Sequence, residues 1–345
     1  MIHTFEIKAA FSYSQILSVN ETLSQSLLTQ ETPATLTDPF GIPGIQKATL
    51  TVAPNVSAYY LALVIEPLTL VKGTKSMEVF PVDELTTEIL KQKLYSTLKG
   101  ICSELSFNKV HWWLSRLDIA FQIHTPYVST YVGLAQKASV PYWYRKIGWS
   151  AGSDYVGSKS TYYNFYDKYD QAENKGYPDF LLEEASNVYR MEIQLRARKK
   201  IKYLMKKYKL DDNVWSLFNS GIILTEFKAA YVKHIGTSNY YTFDKASERI
   251  QELGKQSKSK QLAIDLLRFI NNHQSFPDSL LAINNGSEDF LSRYQLANGN
   301  ANIDKFKRDV KTNLISLGIN PILLPDSFET DILENPFKTL FCLLS

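Results

Sequence analysis

Three stretches near the middle of the chain alternate apolar and polar residues with period two. In the first, Leu117, Ile119, Phe121 and Ile123 share a face against Arg116, Asp118, Gln122 and His124. In the second, Tyr162, Asn164, Tyr166 and Lys168 oppose Tyr163, Phe165 and Asp167. In the third, Arg190, Glu192, Gln194 and Arg196 oppose Tyr189, Met191, Ile193 and Leu195. Successive strand side chains point to opposite faces. The pattern therefore predicts strands over 112–123, 159–167 and 187–197 of an antiparallel sheet with one buried face.

Around these the pattern predicts an opening strand over 2–11, irregular connections over 20–47, and strands over 48–53 and 57–67. A hairpin partner follows at 73–80 and a helix at 82–105, the latter from the spacing of Leu85, Ile89, Leu90, Leu94, Leu98 and Ile101. Residues 126–138 read as a short helix or loop. Residues 147–155 and 159–167 read as a hairpin turning at Val156-Gly157-Ser158, and 172–185 as a polar connection. Beyond residue 199 the periodicity is helical, with candidate helices over 214–218, 224–234, 243–254, 260–271, 280–296 and 303–317. Gly236, Pro277, Gly299, Gly318 and Pro321 punctuate them. The expected fold class is α+β: an antiparallel-sheet domain over 1–212, then a mainly helical C-terminal domain over 213–345.

Charge changes the picture at one place. The net charge of +3 is too small to name a partner. Between 196 and 209, however, lie Arg196, Arg198, Lys199, Lys200, Lys202, Lys206, Lys207 and Lys209, with no acid. Ile201, Leu204, Met205 and Tyr208 form one apolar stripe at helical spacing. Solvated helix faces usually mix signs. A one-sign face suits phosphate backbones, although a solvated amphipathic helix has the same pattern. The 44 tyrosines, phenylalanines and tryptophans (21, 18 and 5) can serve as half-buried sheet residues or as stacking surfaces for unpaired bases.

Cys102 and Cys342 are the only cysteines, so neither a zinc site nor a disulfide framework is expected, and a reducing, cytoplasmic compartment fits. The first residues lack the basic region and apolar core of a signal peptide. No stretch approaches the ~18 apolar residues of a membrane span.

The polar strand faces carry the candidate chemistry. A tyrosine has a reference pKa of about 10 and needs activation to attack phosphorus. Lys168 follows Tyr166 on the same face and is expected to stabilise its anion. Asp118 and Glu192 offer hard oxygen ligands for a divalent cation, and Arg116 and Arg190 can clamp phosphate oxygens. Both carboxylates lie opposite the apolar face, so truncating them is expected to leave the core intact.

The run Arg116-Leu117-Asp118-Ile119-Ala120-Phe121, a Tyr-x-Lys segment at Tyr166 and Lys168 behind a hairpin, and Arg190-Met191-Glu192 leading into a basic helix resemble the gene II-type replication initiators of filamentous phages. They are also similar to the wider rolling-circle initiators and relaxases of plasmids and conjugative elements. The resemblance covers residues 1–215. It implies a tyrosine nucleophile at Tyr166, a magnesium or manganese ion on Asp118 and Glu192, and a nicking–closing endonuclease that leaves a 5′-phosphotyrosyl link and a free 3′ hydroxyl. Tyr162, Tyr163 and Tyr169 are rivals to Tyr166. None of the five histidines forms the paired-histidine metal motif of the other large nickase class. The expected partners are DNA, as an origin hairpin or single strand, a host helicase and polymerase, and a second copy of the chain, in a bacterial cytoplasm. The alternatives are a conjugative relaxase of the same chemistry and a non-enzymatic DNA-binding protein. In the latter, Tyr166 and Glu192 are packing and salt-bridge residues.

Overall fold

The computed structural model describes residues 1–28, 33–52, 58–138, 145–150, 152–252, 257–273, 279 and 314–342. In chain order the elements are β1 (Ile2–Phe11), α1 (Tyr13–Asn20), β2 (Ala34–Thr37), β3 (Ile45–Val52), β4 (Tyr59–Ile65), α2 (Pro67–Lys72), α3 (Glu84–Ile101), β5 (Trp113–His124), α4 (Val128–Lys137) and β6 (Arg145–Ser150). They continue with β7 (Ser153–Gly157), β8 (Thr161–Asp167), α5 (Lys168–Asn174), α6 (Asp179–Ala185), β9 (Val188–Leu195), α7 (Arg198–Lys207), α8 (Ser220–His234), α9 (Phe243–Gln251) and α10 (Ser257–His273).

Among the described residues nine strands pair in the order β2-β3-β4-β1-β5-β9-β8-β7-β6. Every neighbouring pair is antiparallel. The class is mixed α+β, as the periodicities predict. The three patterned stretches are β5, β8 and β9, side by side at the centre. Their apolar faces bury Leu117, Ile119, Phe121, Tyr163, Phe165, Met191, Ile193 and Leu195.

The region beyond 212 begins packing on this sheet at once. Phe218 meets Phe5 edge-on, Phe227 of α8 packs against Phe121, and Tyr231 meets Phe165. One hydrophobic core runs from Ile2 to Leu340 through both regions. His234 at the end of α8 lies 3.1 Å from Asp154 of β7, both buried, and its ring stacks on Phe165.

Several elements differ from the sequence expectation. Residues 73–80 form no strand; only an isolated bridge joins Phe80 to Ile2. The predicted strand 147–155 is the two strands β6 and β7. Residues 172–185, expected as a polar connection, carry the end of α5 and all of α6. Short α1 and β2 stand where no element or only irregular chain was expected, and 214–218 is a turn. The helix over 82–105 is α3 plus a single 3-10 turn at Ser103–Leu105. It buries Leu90, Leu94 and Leu98 but leaves Leu85 and Ile89 exposed. The candidate helix 280–296 and most of 303–317 lie outside the described residues.

Candidate functional site

The register of the central strands places the predicted polar residues on one surface. Asp118 of β5 pairs with Gln194 of β9, Ala120 with Glu192, and Gln122 with Arg190. On the other side Glu192 pairs with Asn164 of β8 and Arg190 with Tyr166. Thr4 of β1 pairs with Asp118. Because all these positions share strand phase, their side chains rise from the same face.

Glu192 is the hub. The Tyr166 hydroxyl donates to its Oε1. His3 Nδ1 lies 3.0 Å from the same oxygen, and Gln194 Nε2 donates to Oε2 at 3.1 Å. Burial works against the carboxylate's charge, but His3, Arg190 and the Tyr166 hydroxyl outweigh it and hold its pKa well below the usual range. Tyr166 itself is 2% exposed. Burial and then the charge of Glu192 push its phenol well above the ordinary value.

Lys168 corrects the sequence reading. The strand ends at Asp167, which caps α5 through Tyr169 N, and Lys168 is the first residue of that helix. Its Nζ still lies over the Tyr166 ring, 5.9 Å from the centroid, and donates to Gln171 Oε1 at 2.6 Å. Burial and the neighbouring Arg190 lower its pKa to about 6. In this arrangement burial disfavours the cation that was expected beside the phenol.

Asp118 and Arg116 are tied to each other. Arg116 Nε donates to Asp118 Oδ1 at 2.8 Å and Nη2 to Oδ2 at 2.5 Å, while Thr4 Oγ1 donates to Oδ2 at 2.5 Å. Arg190 is fully buried, bonded to Gln122 Oε1 at 2.5 Å and to the carbonyl of Met77. Arg116 and Arg190 are therefore occupied by protein acceptors rather than open to a phosphate.

The donor set fits a divalent cation in kind through its carboxylate oxygens, which suit magnesium or manganese; the His3 imidazole suits softer metals. The set does not fit in arrangement. Both Asp118 oxygens and both Glu192 oxygens already accept protein hydrogen bonds. Among the described residues no three His, Cys, Asp or Glu side chains converge as a cage.

The face expected to be open is partly roofed. Residues 73–80, α5 and α6 cover its Arg190–Tyr166 end. Glu184 of α6 accepts from Ser76 Oγ at 2.7 Å and from Met77 N at 3.0 Å. Met77, Ala172, Leu181 and Ala185 form a small core separate from the main one. The period-two pattern could not reveal this roof, because its polar face reads the same whether solvent or protein lies above it.

His3 is the site residue that sequence reasoning missed. β1 loses register between Ile2 and Thr4, whose partners on β5 are the adjacent residues Ile119 and Asp118. His3 is thus the extra residue of a bulge, which re-aims its side chain. The signal was present: Phe5, Ile7, Ala9 and Phe11 keep one phase and Ile2 breaks it.

The basic helix is α7. Ile201, Leu204 and Met205 are buried as the stripe predicts. The face is less uniform than its own sequence suggests, because distant acids reach it. Arg198 pairs with Asp212, Lys202 lies 4.0 Å from Asp212, and Lys207 pairs with Glu226 at 2.5 Å. Lys199 and Lys206 are exposed and have no ion-pair partner among the described residues. Lys200 lies over the exposed ring of Tyr203. Arg196, just before α7, stacks on Tyr162 and bonds Gln194 through Nε.

No protein-family model and no curated protein matches the chain. Among the described residues no helix is long and apolar enough to cross a membrane.

Proposed function

We propose that this chain is a DNA-nicking replication initiator that cleaves one strand by tyrosine transesterification. The observation that supports it is the pairing of Tyr166 with Glu192, on a sheet face that also carries Asp118, Arg190 and, beside it, Lys168. A phenol bonded to a carboxylate has a proton acceptor in place. In the reaction the phenol oxygen bonds to phosphorus as the P–O3′ bond breaks. The phenol proton passes to Glu192, and the leaving 3′ oxygen takes a proton from the Lys168 ammonium.

The closed arrangement opposes these steps, since the phenol is pushed up and the carboxylate down. A phosphate brought beside Lys168 would recharge the amine and favour the phenolate. Catalysis in this reading therefore follows movement of 73–80 and α6 away from the face, with Lys168, at the start of α5, staying beside Tyr166. The roof's small core gives it few contacts to lose. Magnesium or manganese on Asp118 and Glu192 belongs to the proposal, with Arg116 and Thr4 displaced from Asp118. So do an origin hairpin or single strand, a host helicase and polymerase, a second copy of the chain and a bacterial cytoplasm. A conjugative relaxase has the same chemistry.

The burial of Tyr166 favours a second reading, a non-enzymatic DNA-binding protein in which Tyr166 and Glu192 are structural. One experiment separates the two. The protein is incubated with 3′-labelled random single-stranded oligonucleotides in magnesium or manganese and run on a denaturing gel. A 5′-phosphotyrosyl link retains the 3′ label on the protein. Labelled protein that disappears in Tyr166→Phe supports the nickase. Binding without label supports the second reading.

A further inference from the structure

At the end of the polar face away from the roof, two tyrosines and an arginine form a shelf. Tyr155 of β7 and Tyr162 of β8 lie nearly parallel, 18° apart with centroids at 5.3 Å. The Arg196 guanidinium sits 4.2 Å from the Tyr162 centroid and 5.8 Å from that of Tyr155. Gly157 lies directly across from Tyr162, and a Cβ there would collide with the ring, so glycine lets the ring lie flat on the sheet. Arg196 is held by its Nε bond to Gln194 at 2.9 Å, while its Nη groups have no hydrogen-bond partner among the described residues. Both tyrosines are only half-buried. The shelf leads two ways: Arg116 and Asp118 act electrostatically on the Tyr155 hydroxyl, and Arg196 runs into α7.

We infer that this shelf binds one unpaired nucleotide of single-stranded DNA, with its base stacked on Tyr155 and its phosphate on the Arg196 Nη groups. A fixed guanidinium with two free donors suits a phosphate bidentately. An aromatic face beside it suits any unpaired base and no paired one. The inference deepens the nickase reading and rests on it for the identity of the strand. It supplies what a nicking site needs at its margin: a grip on the strand between the basic helix and the Asp118–Glu192 face.

The test is fluorescence anisotropy with a short labelled oligothymidylate and with a duplex of the same length, across a salt series. Tyr155→Ala should weaken single-strand binding roughly 10-fold and leave the duplex nearly unchanged. Tyr155→Phe should bind like the wild type. Arg196→Gln should weaken both and flatten the single-strand salt slope by about 0.7. Where alanine fails to fold, Tyr155→Leu keeps bulk without the π face. Unchanged single-strand binding in Tyr155→Ala would overturn the shelf, as would equal losses on both DNAs or a loss in Tyr155→Phe as large as in alanine. A wild type that shows these binding effects but forms no covalent adduct keeps the shelf and loses the nickase. Adduct formation with indifferent Tyr155→Ala binding does the reverse.

Discussion

Tyr166 and Glu192 share one hydrogen bond in the buried centre of the sheet, and the Glu192 oxygen that accepts it is also 3.0 Å from His3 Nδ1. The bond has two consequences that one substitution can separate. Tyr166→Phe should abolish the covalent adduct, while DNA binding through α7 survives. It should also cost about 1.5–3 kcal/mol of stability, because a hydrogen bond to a charged, buried acceptor is lost. Denaturant unfolding together with the adduct assay reads both. A normal adduct in Tyr166→Phe, with loss in Tyr162→Phe or Tyr169→Phe, would move the nucleophile to that residue.

The carboxylates should not behave alike. Glu192→Ala removes the buried acceptor of Tyr166 and Gln194 and the negative charge that acts on buried Arg190, a change of the kind that costs about 3–5 kcal/mol. Asp118→Ala frees Arg116, whose side chain is 26% exposed and can turn to water, so its cost should be smaller. Both carboxylates are buried, Asp118 at 1% and Glu192 at 2% exposed, so either truncation should disturb the fold, Glu192→Ala the more. Asp118→Asn is the cleaner probe of metal. It keeps the side-chain volume and should lose cleavage in magnesium and manganese, with some loss of melting temperature because its amide nitrogen replaces an oxygen that accepts from Arg116 or Thr4. If Asp118→Asn cleaves normally, Asp118 is no ligand.

The central sheet was legible because β5, β8 and β9 each alternate cleanly, and an antiparallel neighbour inherits that phase. The faces of Asp118, Tyr166, Arg190 and Glu192 followed directly. Three things were not legible. The roof over Arg190 is built from 73–80, α5 and α6, whose mixed composition carries no strong period. His3 enters through a bulge, which looks like a defect in the pattern until the partner strand is known. The acids that neutralise Arg198 and Lys207 are Asp212 and Glu226, outside the helix whose sign was being read. Local pattern fixes which face a residue takes, and tertiary contacts decide what that face meets.

Lys168 gives a pH signature. Its pKa falls to about 6 in the folded protein, through burial and Arg190, against about 10.4 in an unfolded chain. Between those values the unfolded state binds more protons than the folded one, so this residue makes stability rise with pH. The penalty is full below about pH 6 and vanishes above about pH 10.4. Lys168→Met should remove that rise and stabilise the protein most at the acid end. Urea midpoints of the two proteins from pH 6 to pH 10 test it, at a slope of at most about 1.4 kcal/mol per pH unit. Parallel midpoint curves would mean that the amine is charged in the folded state, and the proposed recharging by phosphate would lose its basis.

The lysines of α7 should fall into two groups, because only some are free. Phosphate contacts position a protein on DNA and carry no base information directly. Lys199→Gln and Lys206→Gln should therefore weaken binding on all sequences alike, each flattening the log-affinity against log-salt slope by roughly 0.7–0.9. Arg198 and Lys207 already face Asp212 and Glu226, and the Lys207 ammonium is pushed up to about 12 by its hydrogen bond to Glu226. To reach a phosphate each must leave its acid, so Arg198→Gln and Lys207→Gln should change the slope less. The single change Glu226→Gln should tighten binding by releasing Lys207 and by removing a negative charge beside the helix. A slope that falls equally for all four basic residues would mean that the ion pairs break on binding. A slope unmoved by Lys199→Gln and Lys206→Gln would mean that this face meets solvent or a protein partner, and α7 would then be an amphipathic helix with no part in DNA binding.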